Sequence, residues 1–417
     1  MSEMTTAEIA RLHERELSQM KIGGPFLLAL AGDIVGTYPI ADLQEPAVQR
    51  VLGIIRNADV AFANMEANVT GGDPPSERDF SDIAADTKAQ GFDMVLRAGD
   101  QSTTIGTERM LESNRIIADA GLVYAGSGRN LREARSPAYH MTSKGRVGMV
   151  GMHAYASPAH RVPGLNPMRL RHVILVPQDD LDAVRKIAVA HRDLAKMISA
   201  SPLPQLEVDA DPVSAVQLFN TTYALGERGR QQFTMDTDDE RLNLRSVQDA
   251  KSAADFVIAA IRSHESAWTI PLDVLESEPP DFLVRLAREA IDNGADAFVS
   301  SGARVLRGIE IYKGRPIFYG LMSYWPRISV ADHDDAMNTP SMESVVCEAS
   351  FHDGKLAEIR ICPIEFGYGL PMSQKGAPRL VTGEVAERIL TRMQTLSKPL
   401  GTDMAIQDDI GIISVEA

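Results

Sequence analysis

Residues 295–321 read ADAFVSSGARVLRGIEIYKGRPIFYGL. Ala297, Phe298 and Val299 form a short apolar run of the kind that makes a buried strand. Ser300, Ser301, Gly302 and Ala303 then supply a small-residue turn, after which Arg304, Val305 and Leu306 resume the run. A strand that ends in a Ser/Gly turn presents the following side chains at the rim of a sheet, where α/β proteins place their chemistry. Arg304 is the side chain so presented. Beyond it, GIEIYKGRPIFYG alternates apolar residues around Lys313-Gly314 and predicts a β-hairpin.

The same strand-then-polar-rim pattern recurs along the chain. The run Phe26 to Ala31 ends at Gly32-Asp33, which leaves a carboxylate at the strand's C-terminal end; as an isolated feature this is equally a turn or helix-cap aspartate. ADVAFANME (58–66) is a second strand, with Asn64 and Glu66 two residues apart and so on one face. These two are either part of a ligand set with Asp33 or simply polar surface. Asp93 to Leu96 is a third strand, followed by Arg97-Ala98-Gly99-Asp100-Gln101 and a helix over 107–120. Leu122 to Ala125 leads into the Gly-rich turn GSGRN, which lacks phosphate-loop spacing. Arg146 to Met152 ends at His153, a turn residue or an acid/base by its titration range. DFVIAAI (255–261) ends at Arg262-Ser263-His264-Glu265, and a helix covers 280–293.

Composition bounds the class. The 417 residues are 44% hydrophobic and 24% charged, which suits a globular chain with a large core. A formal charge of −15, from 42 basic and 57 acidic side chains, disfavours nucleic acid or an anionic membrane surface as partner. Any anion must be met by a local group of arginines. Cys347 and Cys362 are too few for a disulfide framework, and no run is long enough to span a bilayer. A cytoplasmic protein is the expectation. Residues 1–24 read as an N-terminal helical extension, with Thr5 or Thr6 as its cap, and 25–417 as one domain. Within it, about 155–250 reads as an insertion or lid: VPGLNPMRL (162–170) is loop-like, 178–199 is helical, and 201–240 mixes Pro with acidic residues without a strand rhythm. Strands at 343–350 and 357–363 around Asp353-Gly354, and a helix at 383–397, close the chain.

The stretches AGDIV (31–35), ADVAFANMEANVT (58–70), GFDMVLRAGDQ (91–101), AGLVYAGSGRNLREARSPAY (120–139) and GADAFVSSGARVLRGIEIYKGRPIFYGL (294–321) resemble, in order, the bacterial capsule-synthesis family CapA, or PGA_cap. The resemblance implies an α/β chain with the calcineurin-like metallophosphatase fold, two packed mixed β-sheets flanked by helices. It also exposes departures. Where the family commonly has Asn-Asn-His, this chain has Gly99-Asp100-Gln101. Ile-His is replaced by Ile261-Arg262, and Gly-His-x-Pro-His-Val by the run Ser300 to Val305. Ser-Leu-Gly-Asn-Phe is replaced by Gly320-Leu321-Met322-Ser323-Tyr324. Asp33, Asn64 and Glu66 keep their positions.

Arginine cannot ligate a metal, because its guanidinium stays protonated. Like charges 4 Å apart repel by roughly 4 kcal/mol at an effective dielectric near 20. The reading is therefore a site with no metal and no cofactor, in which Arg262 and Arg304 neutralise Asp33 and Glu66 and offer donors to an anionic or oxyanion-forming group. His153 and His264 are the candidate acid and base. Tyr38, Asn64, Asp100, Gln101, Ser301, Tyr155 and Trp268 are candidate substrate contacts, with Tyr324 and Trp325 as further pocket or core aromatics. The expected activity is proton transfer on a small organic or peptide-like substrate, of lyase or epimerase type; members resembling the family epimerise peptide residues without metal. Two alternatives stand beside it: a metal-dependent hydrolase or capsule-polymer factor, and a non-catalytic anion-binding protein. A homo-oligomer is left open.

Overall fold

The computed structural model describes residues 21–36, 38–67, 69, 81–99, 106–156, 164–198, 215–218, 221–268, 277–303, 305–326, 343–367, 370–371 and 375–415, side chains of 81 and 191–198 excepted. Two mixed sheets, each of ten described strands, pack face to face with helices outside them. The first is built on β1 (Pro25–Ile34), which pairs in parallel with β2 (Val60–Met65); β3 (Met94–Leu96) and β4 (Val123–Ala125) continue outward in the same sense. On its other side β1 meets β16 (Ser344–His352) antiparallel, and β16 meets β17 (Lys355–Glu365).

The second sheet centres on β11 (Phe256–Arg262), flanked in parallel by β6 (Gly145–Tyr155) and β12 (Ala297–Ser301). Side chains alternate across a strand, and β11 shows what that does. Phe256, Ile258 and Ala260 enter the core between the sheets, whereas Val257, Ala259 and Ile261 enter the core under the helices Thr237–Lys251 and Asp281–Asp292. Burying a side chain of this kind stabilises by about 1.5–3 kcal/mol, so a one-residue slip of β11 is strongly opposed. The register delivers Arg262, the last residue of the strand, to the inter-sheet side.

Both tight hairpins form where the Gly-containing pairs place them. Lys313 and Gly314 have φ of 50° and 71°, and Asp353 and Gly354 have 50° and 73°, the twin positive φ of a primed turn. Elsewhere the structure corrects the sequence reading. The stretch from 155 to 250 is rich in strands: Pro167–Val176, Ala215–Leu218, Thr221–Leu225 and Gln231–Met235 extend the second sheet beyond β6. The following helix starts at Thr237, where Asp236 caps it, accepting from the backbone N–H of Asp238 (3.2 Å) and Asp239 (3.0 Å). Leu306 makes only an isolated bridge with Leu321 instead of resuming a strand. The proposed N-terminal helix lies outside the described residues up to position 20.

Candidate active site

The C-terminal ends of the parallel strands of both sheets converge. In the second sheet His153, Arg262 and Ser301 are register partners on three adjacent strands, so their side chains share one face. It is the inter-sheet face, by the alternation just described. In the first sheet Asp33 pairs with Asn64 across β1 and β2, and Glu66 follows one residue after β2. The register of β1 slips between Leu30 and Asp33, an irregularity of the kind that re-aims a side chain beside a site.

Asn64 bridges the two carboxylates. Its Nδ2 donates to Asp33 Oδ1 at 2.8 Å and to Glu66 Oε1 at 3.1 Å. Arg262 crosses from the other sheet and takes Glu66 by both oxygens, Nε to Oε1 and Nη2 to Oε2 (3.1 Å). Glu66 and Arg262 are each 2% exposed, so this is a fully desolvated, two-pronged ion pair. Asp33, 8% exposed, lies beside it. Burial and then the negative charge of Glu66 push its pKa from the ordinary 3.8 up to about 7; Arg262, the Asn64 hydrogen bond and the charge of His264 oppose them. Asp33 is thus a carboxylic acid of this cluster whose pKa is raised toward neutral pH.

The backbone around Asp33 is held tightly. Its N–H donates to Met322 O (2.9 Å), and Met322 adopts φ of 63°, a left-handed conformation costly for a side chain of its kind. A Cβ on Gly32 would stand 1.7 Å from that same carbonyl oxygen, so glycine there is a steric requirement. Ser344 Oγ donates to Leu321 O (2.9 Å), and so helps to fix this turn. Gly99 packs closely over the ion pair, where a Cβ would stand 3.1 Å from Glu66 Cγ and 3.3 Å from Arg262 Cδ.

Of the residues singled out in the sequence, Asp33, Asn64, Glu66 and Arg262 meet directly. His264 stands near enough to act on Asp33 by its charge, with Nδ1 2.9 Å from Gly302 O. His153 is buried, its backbone N–H donating to Asn166 O (2.8 Å) and its ring stacked on Tyr155 at 5.8 Å between centroids. Ser301 is buried and shares the face of Arg262. Trp268 Nε1 donates to Glu278 (2.7 Å), Arg230 lies over its ring at 4.8 Å, and its backbone carbonyl accepts from Gln231 Nε2 on the strand Gln231–Met235. Tyr324 and Trp325 are fully buried core, and Tyr38 packs edge-on against Trp325. Arg304, Asp100 and Gln101 lie outside the described residues.

Arg97 was passed over in the sequence. It is completely buried and donates to Met65 O and Ala67 O, the carbonyls on either side of Glu66. The sign available in MVLRAG was an arginine directly continuing an apolar strand. Among the described residues no group of three or more His, Cys, Asp or Glu is arranged to hold a metal ion, and no helix is long and apolar enough to cross a membrane.

The model of the family described as bacterial capsule synthesis protein PGA_cap matches residues 27–322. This chain belongs to the PGA_cap family. Two relatives in Sinorhizobium fredii (strain NBRC 101917 / NGR234), the uncharacterized proteins y4sH and y4uA, are each 31% identical to this PGA_cap protein over 446 residues, spanning 93% of both chains. Among solved structures, a hypothetical protein from Thermus thermophilus superposes with a TM-score of 0.42 at 12% identity, covering 81% of this chain and 99% of its own. A putative 5'-nucleotidase from Staphylococcus aureus in complex with alpha-ketoglutarate gives 0.38 at 10% identity, covering 90% of this chain and 58% of its own. A phosphatase from Mycoplasma pneumoniae gives 0.36 at 9%, with 82% and 95% covered.

Proposed function

We propose that this PGA_cap protein is a metal-independent acid/base enzyme in which Asp33 moves the proton. Its substrate is a small organic or peptide-like molecule with an anionic or oxyanion-forming group, and the bond broken is C–H or C–C. The observation that carries this reading is the buried Arg262–Glu66 pair beside Asp33. A divalent cation suits this donor set poorly: both oxygens of Glu66 already accept from a guanidinium, and Asn64 turns N–H groups toward both carboxylates. The fixed positive charge that a metal would supply is supplied by Arg262 instead, and a metal beside it would be repelled.

Asp33 then has the properties of a general base or acid, since proton transfer is most efficient when the catalytic pKa lies near the working pH. For epimerisation, its carboxylate takes the proton from a carbon next to a carbonyl, and the electron pair moves onto the carbonyl oxygen. A proton returned to the opposite face completes the inversion. For a retro-aldol cleavage, the base takes a hydroxyl proton, the C–C bond breaks, and the released pair is held on the carbonyl of the leaving fragment. Donors on the face of Arg262 and Ser301 would stabilise that oxygen.

The test is proton exchange under chelation. Wild type and Asp33→Asn are incubated in D2O with a panel of peptides and β-hydroxycarbonyl compounds in the presence of a strong chelator, and deuterium uptake or cleavage is followed by NMR. The expected result is chelator-resistant exchange or cleavage that Asp33→Asn abolishes. Turnover that appears only when Mn, Fe or Zn is added back would refute it and favour the second reading, a metal-dependent hydrolase, which the family membership supports.

A further inference from the structure

We propose that Arg97 is a positioning residue for the site: it clamps the turn that carries Glu66 and holds that carboxylate against Asn64 and Arg262. This inference rests on the acid/base reading of Asp33 and Glu66. Arg97 immediately follows β3 and is fully buried. Nη1 donates to Met65 O at 2.7 Å and to Ala67 O at 2.9 Å, gripping the backbone on both sides of Glu66. Its other nitrogens reach the helix Thr107–Asp119, Nη2 to Ser113 Oγ (3.2 Å) and Nε to Asn114 Oδ1 (3.4 Å). Ser113 Oγ also accepts from the N–H of Val69 (3.1 Å), so the same clip secures the chain three residues beyond Glu66.

The chemistry is unusual for a purely packing role. Among the described residues the four acceptors of the guanidinium are neutral: two carbonyls, a hydroxyl and an amide oxygen. A buried cation is costly without a counter-charge, and burial lowers the pKa of Arg97 to about 10, with Glu66 the largest opposing influence. Glu66 is therefore set between two guanidiniums. Arg262 bonds its carboxylate, and Arg97 grips its backbone and adds charge from behind.

The experiment uses the full chain with aspartate 13C-labelled at the side-chain carboxyl, the Asp33 signal being assigned by its loss in Asp33→Asn. In the wild type this signal should titrate near 7. In Arg97→Met the turn loosens and the charge of Glu66 moves away from Asp33, so the midpoint should fall by about one pH unit. Arg97→Lys, which keeps the charge but not the two-carbonyl grip, should fall between the two. Ser113→Ala, a gentler change, should shift the midpoint in the same direction and decides the matter if Arg97→Met does not fold. A wild-type midpoint near 7 that both Arg97→Met and Ser113→Ala leave unmoved, with only a lower melting temperature, overturns this inference alone. A wild-type midpoint in the ordinary carboxylate range overturns the acid/base reading and this inference with it.

Discussion

Replacing Asp33 by Asn should make the protein more stable at alkaline pH, and the size of the gain follows from the environment of the carboxyl. Its pKa is 3.8 in an unstructured chain and about 7 in the fold, raised first by burial and then by Glu66. Between those values the folded state keeps a proton that the unfolded state has lost, so stability falls as pH rises from about 4 to about 7. The interval is about three units at roughly 1.4 kcal/mol each, an upper bound of roughly 4 kcal/mol above neutrality. Asn at position 33 removes this penalty while its carbonyl oxygen still accepts the 2.8 Å bond from Asn64. Urea unfolding of both proteins at about pH 4.5 and about pH 8, extrapolated linearly to water, measures the difference. The variant should exceed the wild type by about 2–4 kcal/mol at the higher pH, with most of that gain gone at the lower. Equal differences at the two pH values, or a variant weaker than wild type at pH 8, would refute the reasoning.

Other substitutions probe the surrounding frame. Arg262→Met leaves Glu66 buried with its main partner removed and should cost about 3–5 kcal/mol, whereas Arg262→Met with Glu66→Leu should recover most of that loss; chemical denaturation of wild type, both single variants and the double variant gives the coupling. Gly32→Ala places a methyl 1.7 Å from Met322 O, so the turn behind Asp33 must move; a loss of at least about 3 kcal/mol is expected by thermal unfolding, and a silent substitution would contradict the packing at β1. If Asp33 is the base, kcat/KM on any substrate found by the exchange screen should rise with pH through about 7 and flatten above it.

Much of the fold was legible because its central strands are short apolar runs that end in polar or small residues. Asp33, Asn64, Glu66 and Arg262 were all visible as residues at strand ends; the register of β1 with β2 sets Asp33 level with Asn64, and that of β6 with β11 sets Arg262 level with His153. The strands of 167–235 were not legible. Pro167–Val176 alternates polar and apolar residues inconsistently, since its middle is only partly buried, and Ala215–Leu218 is a four-residue edge strand with too little length to show a period. The helix start at Thr237 was in fact written out, as an aspartate followed by Asp238, Asp239 and Glu240. At the site, the raised pKa of Asp33 was not legible. Histidine is the natural choice by intrinsic pKa, but the depth at which Asp33 is buried, and its distance from Glu66, exist only in three dimensions. The contact of Trp268 with Arg230 was likewise not legible, because the two lie far apart in sequence.

In the proposed function Arg262 occupies the electrostatic place of a metal ion beside Asp33 and Glu66. Titration calorimetry of Mn2+ into chelator-treated wild type and Glu66→Gln, with elemental analysis of the protein as purified, tests this most directly. The account predicts no saturable Mn2+ binding in either protein and metal well below one ion per chain. A stoichiometric ion that binds wild type and is lost with Glu66→Gln would contradict it.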